Sequence, residues 1–157
     1  MSDAIISLAA AVALPTIGGF LTGSATRSGS TSSWYRGLAK PAWNPPPAVF
    51  PIVWTTLYVL MGVASWLVWR RRDSAGATLA LWLYGAQLAV NLSWSVVFFV
   101  GQSVMGALAV IVLLGVLIAG TIAAFWRVDR RAAWLLVPYA LWVAFATALS
   151  ASIAAAN

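Results

Sequence analysis

Apolar residues run almost unbroken along this chain, and the few interruptions divide it into segments of similar length. Five runs reach the roughly 20 helical residues needed to cross a bilayer core. They lie at about residues 4–24, 49–69, 77–100, 104–126 and 133–155. Charges mark two of the breaks, Arg70-Arg71-Arg72-Asp73 and Arg127-Val128-Asp129-Arg130-Arg131. The break at Gly101-Gln102-Ser103 is short and only mildly polar. Without a turn there, residues 77–126 would form one helix of about 50 residues, far too long for a single span. The pattern predicts an all-α integral membrane protein: one domain over 1–157, built as a five-helix transmembrane bundle.

Within the runs, polar and aromatic residues fall on consistent helix faces. Gln87, Asn91, Trp94 and Phe98 follow i, i+4, i+7, i+11. Trp54, Tyr58, Ser65 and Trp69 share one stripe, and Pro138, Trp142, Phe145 and Leu149 another. Amides cannot face hydrocarbon without a partner, so Gln87 and Asn91 are expected to point inward. They either bond to neighbouring helices as structural glue or serve a ligand. At 1.5 Å per residue, Trp54 and Trp94 lie roughly 8–9 Å below one membrane surface. Tyr58, Asn91 and Phe145 lie roughly 14–16 Å deep, and Gln87 and Trp142 roughly 20 Å.

Between the first two spans stands a segment unlike the rest, Trp34-Tyr35-Arg36-Gly37-Leu38-Ala39-Lys40-Pro41-Ala42-Trp43-Asn44-Pro45-Pro46-Pro47. Proline fixes φ and lowers the entropy lost on ordering, and tryptophan offers a broad apolar face. The segment is expected to be a structured Trp/Pro-rich loop acting as a stiff lid. Beneath it, an amide stripe and inward aromatics make an apolar pocket with a few polar groups. Such a pocket suits a flat, aromatic, amphipathic ligand.

Composition supports the membrane reading: 62% of residues are hydrophobic and 8% charged, against roughly 25% charged in soluble proteins. The net charge is +6, but it sits in short connections, which points to topology signalling rather than nucleic acid. With five spans, Arg70, Arg71, Arg72, Arg127, Arg130 and Arg131 share the side of the N-terminus, and Arg27, Arg36 and Lys40 lie opposite. Six against three puts the N-terminus in the cytoplasm and the Trp/Pro loop outside. Trp66, Trp69, Trp82, Trp126 and Trp134 fall near the Arg-rich side as an aromatic belt. Small residues at Gly19/Gly23, Gly85/Ala89, Gly115/Ala119 and Gly120/Ala124 allow close helix approach. The first run lacks a basic leader, so a cleavable signal peptide is not expected.

There is no Cys and no His, which excludes thiol nucleophiles, Cys/His zinc sites and His or Cys haem ligation. The only carboxylate side chains, Asp3, Asp73 and Asp129, lie near a terminus or an Arg cluster. Paired-carboxylate catalysis and carboxylate proton relays therefore lack their groups. No catalytic residue, metal site or cofactor is assigned. No internal repeat suggests an inverted-repeat transporter.

The motifs Trp34-Tyr35, Lys40-Pro41-x-Trp43-x-Pro45-Pro46, Val49-Phe50, Trp54-Thr55-x-Leu57-Tyr58, Gln87-Leu88-Ala89-x-Asn91-x-x-Trp94 with Phe98-Phe99, and Pro138-Tyr139-x-x-Trp142-x-x-Phe145 occur in order. In these the chain resembles the translocator protein / tryptophan-rich sensory protein (TspO/MBR, peripheral benzodiazepine receptor) family. The resemblance implies a membrane receptor or sensor for porphyrins such as protoporphyrin IX and similar planar amphiphiles, with a part in their transport. The alternatives it leaves are a light- or oxygen-dependent porphyrin-degrading enzyme and a lipid or sterol transporter. It implies a homodimer, contact with membrane lipid, and residence in a bacterial inner membrane. By position, Tyr35, Trp54, Tyr58, Gln87, Asn91, Trp94, Trp142, Phe145 and Ala146 would bind the ligand, under a lid of Trp34, Trp43, Pro45 and Pro46. Asn91 is expected to serve the ligand more than the fold. The chain departs from the family pattern at Ala42 and Ala48, where relatives carry Trp, at Val96, where many carry Pro, and at Ser150, where many carry Asn. It also lacks a Tyr followed by Lys or Arg after Trp142.

Overall fold

The structure, a computed structural model, describes the backbone of residues 2–157 and their side chains except at 2 and 24–29. The side chain of Arg27, counted above on the outer side, lies outside the described residues. The regular structure of the described residues is all helical, without strands: α1 (Ser2–Ser30), α2 (Ser33–Gly37), α3 (Val49–Trp69), α4 (Ala77–Ser95), a π-helical turn (Val96–Val100), α5 (Val104–Val128) and α6 (Arg130–Ala156). Five of these helices are long and apolar enough to cross a membrane, as the hydrophobic runs predicted.

Two ends differ from the sequence expectation. Helix α1 continues to Ser30, past the expected boundary at 24, because a hydrophobic run measures the hydrocarbon and not the helix that emerges from it. Helix α6 begins at Arg130 rather than near 133, capped by Asp129, whose Oδ1 accepts from the Arg131 N–H at 2.9 Å. The weakly polar break at 101–103 is a true turn. Gln102 takes a left-handed φ of 48°, and Ser103 Oγ caps α5 by accepting from the Gly106 N–H at 3.1 Å.

The spans close into a ring. Helix α1 packs on α3, α3 on α6, α6 on α5, α5 on α4, and α4 with its π-turn returns to α1. Buried Met61, Ala64, Ala80, Leu114, Ile118, Phe125, Leu136 and Val143 fill the interior. Helix α1 approaches closest where glycine removes a side chain. A Cβ on Gly62 would stand 2.5 Å from the Val12 Cα and 2.8 Å from the Ala11 carbonyl oxygen. On Gly19 it would enter the Tyr58 ring. Gly23, Gly85, Gly115 and Gly120 have nothing within 4 Å, so most of the small-residue spacings make no close helix contact.

The Arg-rich end is laced differently. Arg71 Nε pairs with Asp129 Oδ2 at 3.2 Å, and its Nη1 donates to the Val128 carbonyl at 2.8 Å. This ties the α3–α4 connection to the α5–α6 connection. Trp69, Trp82, Trp126 and Trp134 are exposed, consistent with an interfacial belt. The guanidiniums of Arg70, Arg72 and Arg130 lie 4.9, 5.1 and 5.4 Å from the rings of Trp66, Trp69 and Trp126. Trp66 also donates its indole N–H to Ser7 Oγ at 3.1 Å, anchoring α1.

Gly62→Ala is expected to push α1 off α3 and destabilise the bundle by about 1–3 kcal/mol, as overpacking against backbone does. Gly85→Ala, with open space around it, is expected to be neutral or to raise stability by up to about 1 kcal/mol through helix propensity. Thermal melts of both variants in the same detergent check the contrast.

Candidate ligand site

The outer half of the bundle is organised by one hydrogen-bond chain joining three helices. Tyr58 on α3 donates its hydroxyl to Asn91 Oδ1 on α4 at 2.9 Å. Asn91 Nδ2 donates to the Tyr139 hydroxyl on α6 at 3.0 Å. Tyr139 in turn donates to Gln87 Oε1 at 2.8 Å. All four residues are buried, Gln87 to 1% exposure and Tyr139 to 1%. Tyr58 and Asn91 had been placed at equal depth by helix rise, and their hydrogen bond shows that register. The chain of donors ends at Gln87 Nε2, which is buried and has no partner. Trp142 Nε1, from the same side of α6 one turn closer to the loop end than Pro138, is likewise buried without an acceptor. An unmet N–H in an apolar interior costs roughly 1–3 kcal/mol, so these two donors need an explanation.

Aromatic rings stand over this chain. Trp54 stacks on Tyr58 with centroids 5.5 Å apart and meets Tyr139 edge-on at 6.2 Å. On the α6 side, Trp142 contacts Phe50 at 5.9 Å and Phe145 at 5.4 Å, and Trp43 of the loop meets Phe145 at 5.6 Å. On the opposite side, Trp94 stacks on Phe98 at 5.1 Å, and Trp34 and Tyr35 of α2 reach Phe98 at 5.4 and 6.1 Å. The π-turn places Phe98 and Phe99 at right angles, 4.8 Å apart, so that Tyr35 touches both. The widened turn begins at Val96.

The loop is tied down as well as stacked. Ser32 Oγ caps α2 by accepting from the Tyr35 N–H at 3.1 Å. Lys40 donates to the carbonyls of Tyr35 and Leu38 at 2.6 and 2.8 Å and lies 4.5 Å over the Tyr35 ring. Burial raises the Tyr35 phenol above its usual pKa, so the hydroxyl under this ammonium stays neutral. Asn157, beyond the end of α6, clasps Ala39: its Oδ1 accepts from the Ala39 N–H at 3.0 Å and its Nδ2 donates to the Ala39 carbonyl at 3.1 Å.

The residues singled out from the sequence therefore fall into three connected groups. Trp54, Tyr58, Gln87 and Asn91 gather at the centre. Trp142 and Phe145 cluster with Trp43 on one side, and Tyr35 and Trp94 meet Trp34 through Phe98 on the other. Ala146 packs against the core beside Trp142, and Pro45 and Pro46 lie in the loop, where Pro46 closes a turn by accepting from Val49 N at 3.0 Å. Trp94 spends its indole N–H on the Ala107 carbonyl of α5 at 3.1 Å, so it offers a ring face but no donor. The stripe through Trp54 and Tyr58 does not extend to Trp69, which is 47% exposed. Tyr139 and Phe50 join the site although they were quoted only as motif residues; Tyr139 lies one residue off the Pro138 stripe. Asn157 carried no sequence signal.

Comparison with known proteins finds relatives along nearly the whole chain. The TspO/MBR family pattern matches residues 11–156. The chain is 40% identical over 161 residues to the tryptophan-rich protein TspO of Chlorobaculum tepidum, covering 100% of this chain and 99% of that protein. It is 44% identical over 117 residues to the tryptophan-rich sensory protein of Cereibacter sphaeroides, covering 74% and 72%. Against the human translocator protein it is 41% identical over 138 residues, covering 87% and 81%.

Asn91 performs fold work that the sequence expectation had assigned mainly to a ligand: it both accepts and donates within the bundle. Asn91→Ala strands the Tyr58 hydroxyl and removes the donor to Tyr139, whose own hydroxyl still donates to Gln87; it is expected to cost about 1–2 kcal/mol, at the upper end for interhelical bonds in membranes. Tyr58→Phe removes one donor and is expected to cost less. Melting temperatures of the two variants, measured without ligand, test this order.

Proposed function

Because this chain belongs to the TspO/MBR family, we propose that it is a membrane receptor that binds porphyrins, protoporphyrin IX among them, and similar planar amphiphiles beneath the Trp/Pro loop. Family membership supports a membrane sensor or transporter role; the ligand class is our reading. The observation that carries it is the pairing of aromatic walls with two buried, unpartnered donors, Gln87 Nε2 and Trp142 Nε1. A planar ligand with acceptor atoms at its edge satisfies both features: the rings of Trp54, Tyr58, Trp142 and Phe145 contact its face, and the donors meet its polar edge. Entry requires the Trp43–Phe145 and Phe50–Trp142 contacts to part, which assigns the loop as the gate. The bound ligand would then hold Tyr35, Asn91, Trp94 and Ala146 near it.

Porphyrin breakdown is the second reading. It draws on Trp54 stacked against Tyr58 and edge-on to Tyr139, a set of oxidisable rings beside the proposed ligand. Product analysis of bound pigment in light and in darkness separates the two: a receptor returns the porphyrin unchanged. We further propose a homodimer in a bacterial inner membrane with the N-terminus cytoplasmic. The six-to-three Arg/Lys asymmetry supports that orientation.

Protoporphyrin IX is expected to quench the intrinsic Trp fluorescence saturably. Trp142→Ala should weaken binding about fivefold through lost ring contact, whereas Trp126→Ala, an exposed belt residue, should leave it unchanged; equal affinities would remove Trp142 from the site. For orientation, single cysteines placed at Ser74 and Ser32 are expected to react with an impermeant thiol reagent in intact cells only at Ser32. Labelling at Ser74 alone would reverse the topology.

A further inference from the structure

Away from the ligand site, a recess of about 530 Å³ opens between α5 and α6. Its walls are made by the absence of side chains: Gly115, Ala119 and Ala123 on α5 face Ala140 and Ala144 on α6, with Trp126 at the Arg-rich end. From Trp126 to Gly115 is eleven residues of helix, roughly 16 Å of rise. One leaflet's hydrocarbon is about 15 Å deep. The recess thus runs from the interface to about the bilayer midplane, the path of one acyl chain.

At its Arg-rich end the recess meets cationic residues. The Arg130 guanidinium lies over the ring of the lining Trp126 at 5.4 Å, and Arg127 and Arg131, next in the chain to Trp126 and Arg130, are exposed. The nearest carboxylate does not neutralise them. Asp129 is buried and held by Arg71 Nε at 3.2 Å and the Arg131 backbone N–H at 2.9 Å. Among the described residues that is the sole ion pair. Arginine forks suit phosphate oxygens, and basic clusters beside a span attract anionic lipid headgroups.

We propose that this groove is a binding site for an anionic phospholipid, with one acyl chain along Ala119 and Ala123 and the phosphate between Arg127 and Arg130. The test is native mass spectrometry of the intact protein released from micelles containing equal amounts of phosphatidylglycerol and phosphatidylcholine with identical chains. Wild type is expected to retain phosphatidylglycerol preferentially. Arg130→Gln should reduce that preference about fivefold, the effect of one basic residue at an anionic surface, without changing phosphatidylcholine retention. Ala119→Phe fills the groove and should lower phosphatidylglycerol retention. Leu113→Phe, on an exposed position of the same helix outside the groove, should not. Ala119 is exposed, and an unchanged melt confirms folding; were that variant to unfold, the Arg130→Gln arm decides. Equal retention of the two lipids by wild type, or loss of phosphatidylglycerol in Leu113→Phe as great as in Ala119→Phe, overturns the proposal. So does a groove filled by a second copy of the chain, seen as dimers that Ala119→Phe splits while lipid preference holds.

Discussion

A polar group inside a bilayer has no water to turn to, and the hydrogen-bond chain Tyr58–Asn91–Tyr139–Gln87 is how this bundle meets that constraint. It joins α3, α4 and α6 through residues 33 to 52 positions apart, within about one helical turn of depth. Neighbouring lipid tails are as apolar as leucine, so packing alone sets register weakly. Directional bonds between side chains supply the register that hydrophobicity does not. Gly19 of α1 completes the arrangement by leaving room for the Tyr58 ring.

The same chain divides the molecule into a sealed half and an adaptable half. Toward the Arg-rich end, the interior is filled by aliphatic residues with Tyr84 stacked on Phe125, and Arg71 clamps the connections through Asp129. Toward the other end, the contacts are between rings, which can slide or part without stranding polar atoms. The loop rests on those rings through Trp34, Tyr35 and Trp43 and is fixed at its middle by Lys40 and Asn157. On the function proposed above, such a gate opens by exchanging ring contacts with the protein for ring contacts with a flat ligand, whose edge meets the donors of Gln87 and Trp142, both buried without partners.

Much of this was legible in the sequence. The five spans follow from the hydrophobic runs, and the inward aim of Gln87 and Asn91 follows from the cost of an amide in hydrocarbon. What escaped prediction was set by geometry between distant segments. The continuation of α1 to Ser30 lies outside what hydropathy measures. The π-turn at Val96–Val100 arises within an ordinary apolar stretch. Tyr139 is one residue off the stripe through Pro138 and Trp142, and only the meeting of three helices reveals it as the hinge between the two amides. The clasp of Asn157 on Ala39 spans nearly the whole chain, and no local pattern encodes it. Asn91 shows the limit most clearly: its stripe gave its direction, but whether it served a neighbour or a ligand depended on tyrosines from two other helices.

The central claim is that the two buried donors without partners, Gln87 Nε2 at the end of the hydrogen-bond chain and Trp142 Nε1 on α6, face a ligand. The indole N–H of Trp142 reports on it directly. In protein labelled with nitrogen-15 at tryptophan, the Trp142 indole resonance is assigned by its loss in Trp142→Phe and followed as protoporphyrin IX is added. A large shift of that resonance, with those of exposed Trp82 and Trp134 nearly still, is the predicted result. An unmoved Trp142 resonance at saturating porphyrin would contradict the account.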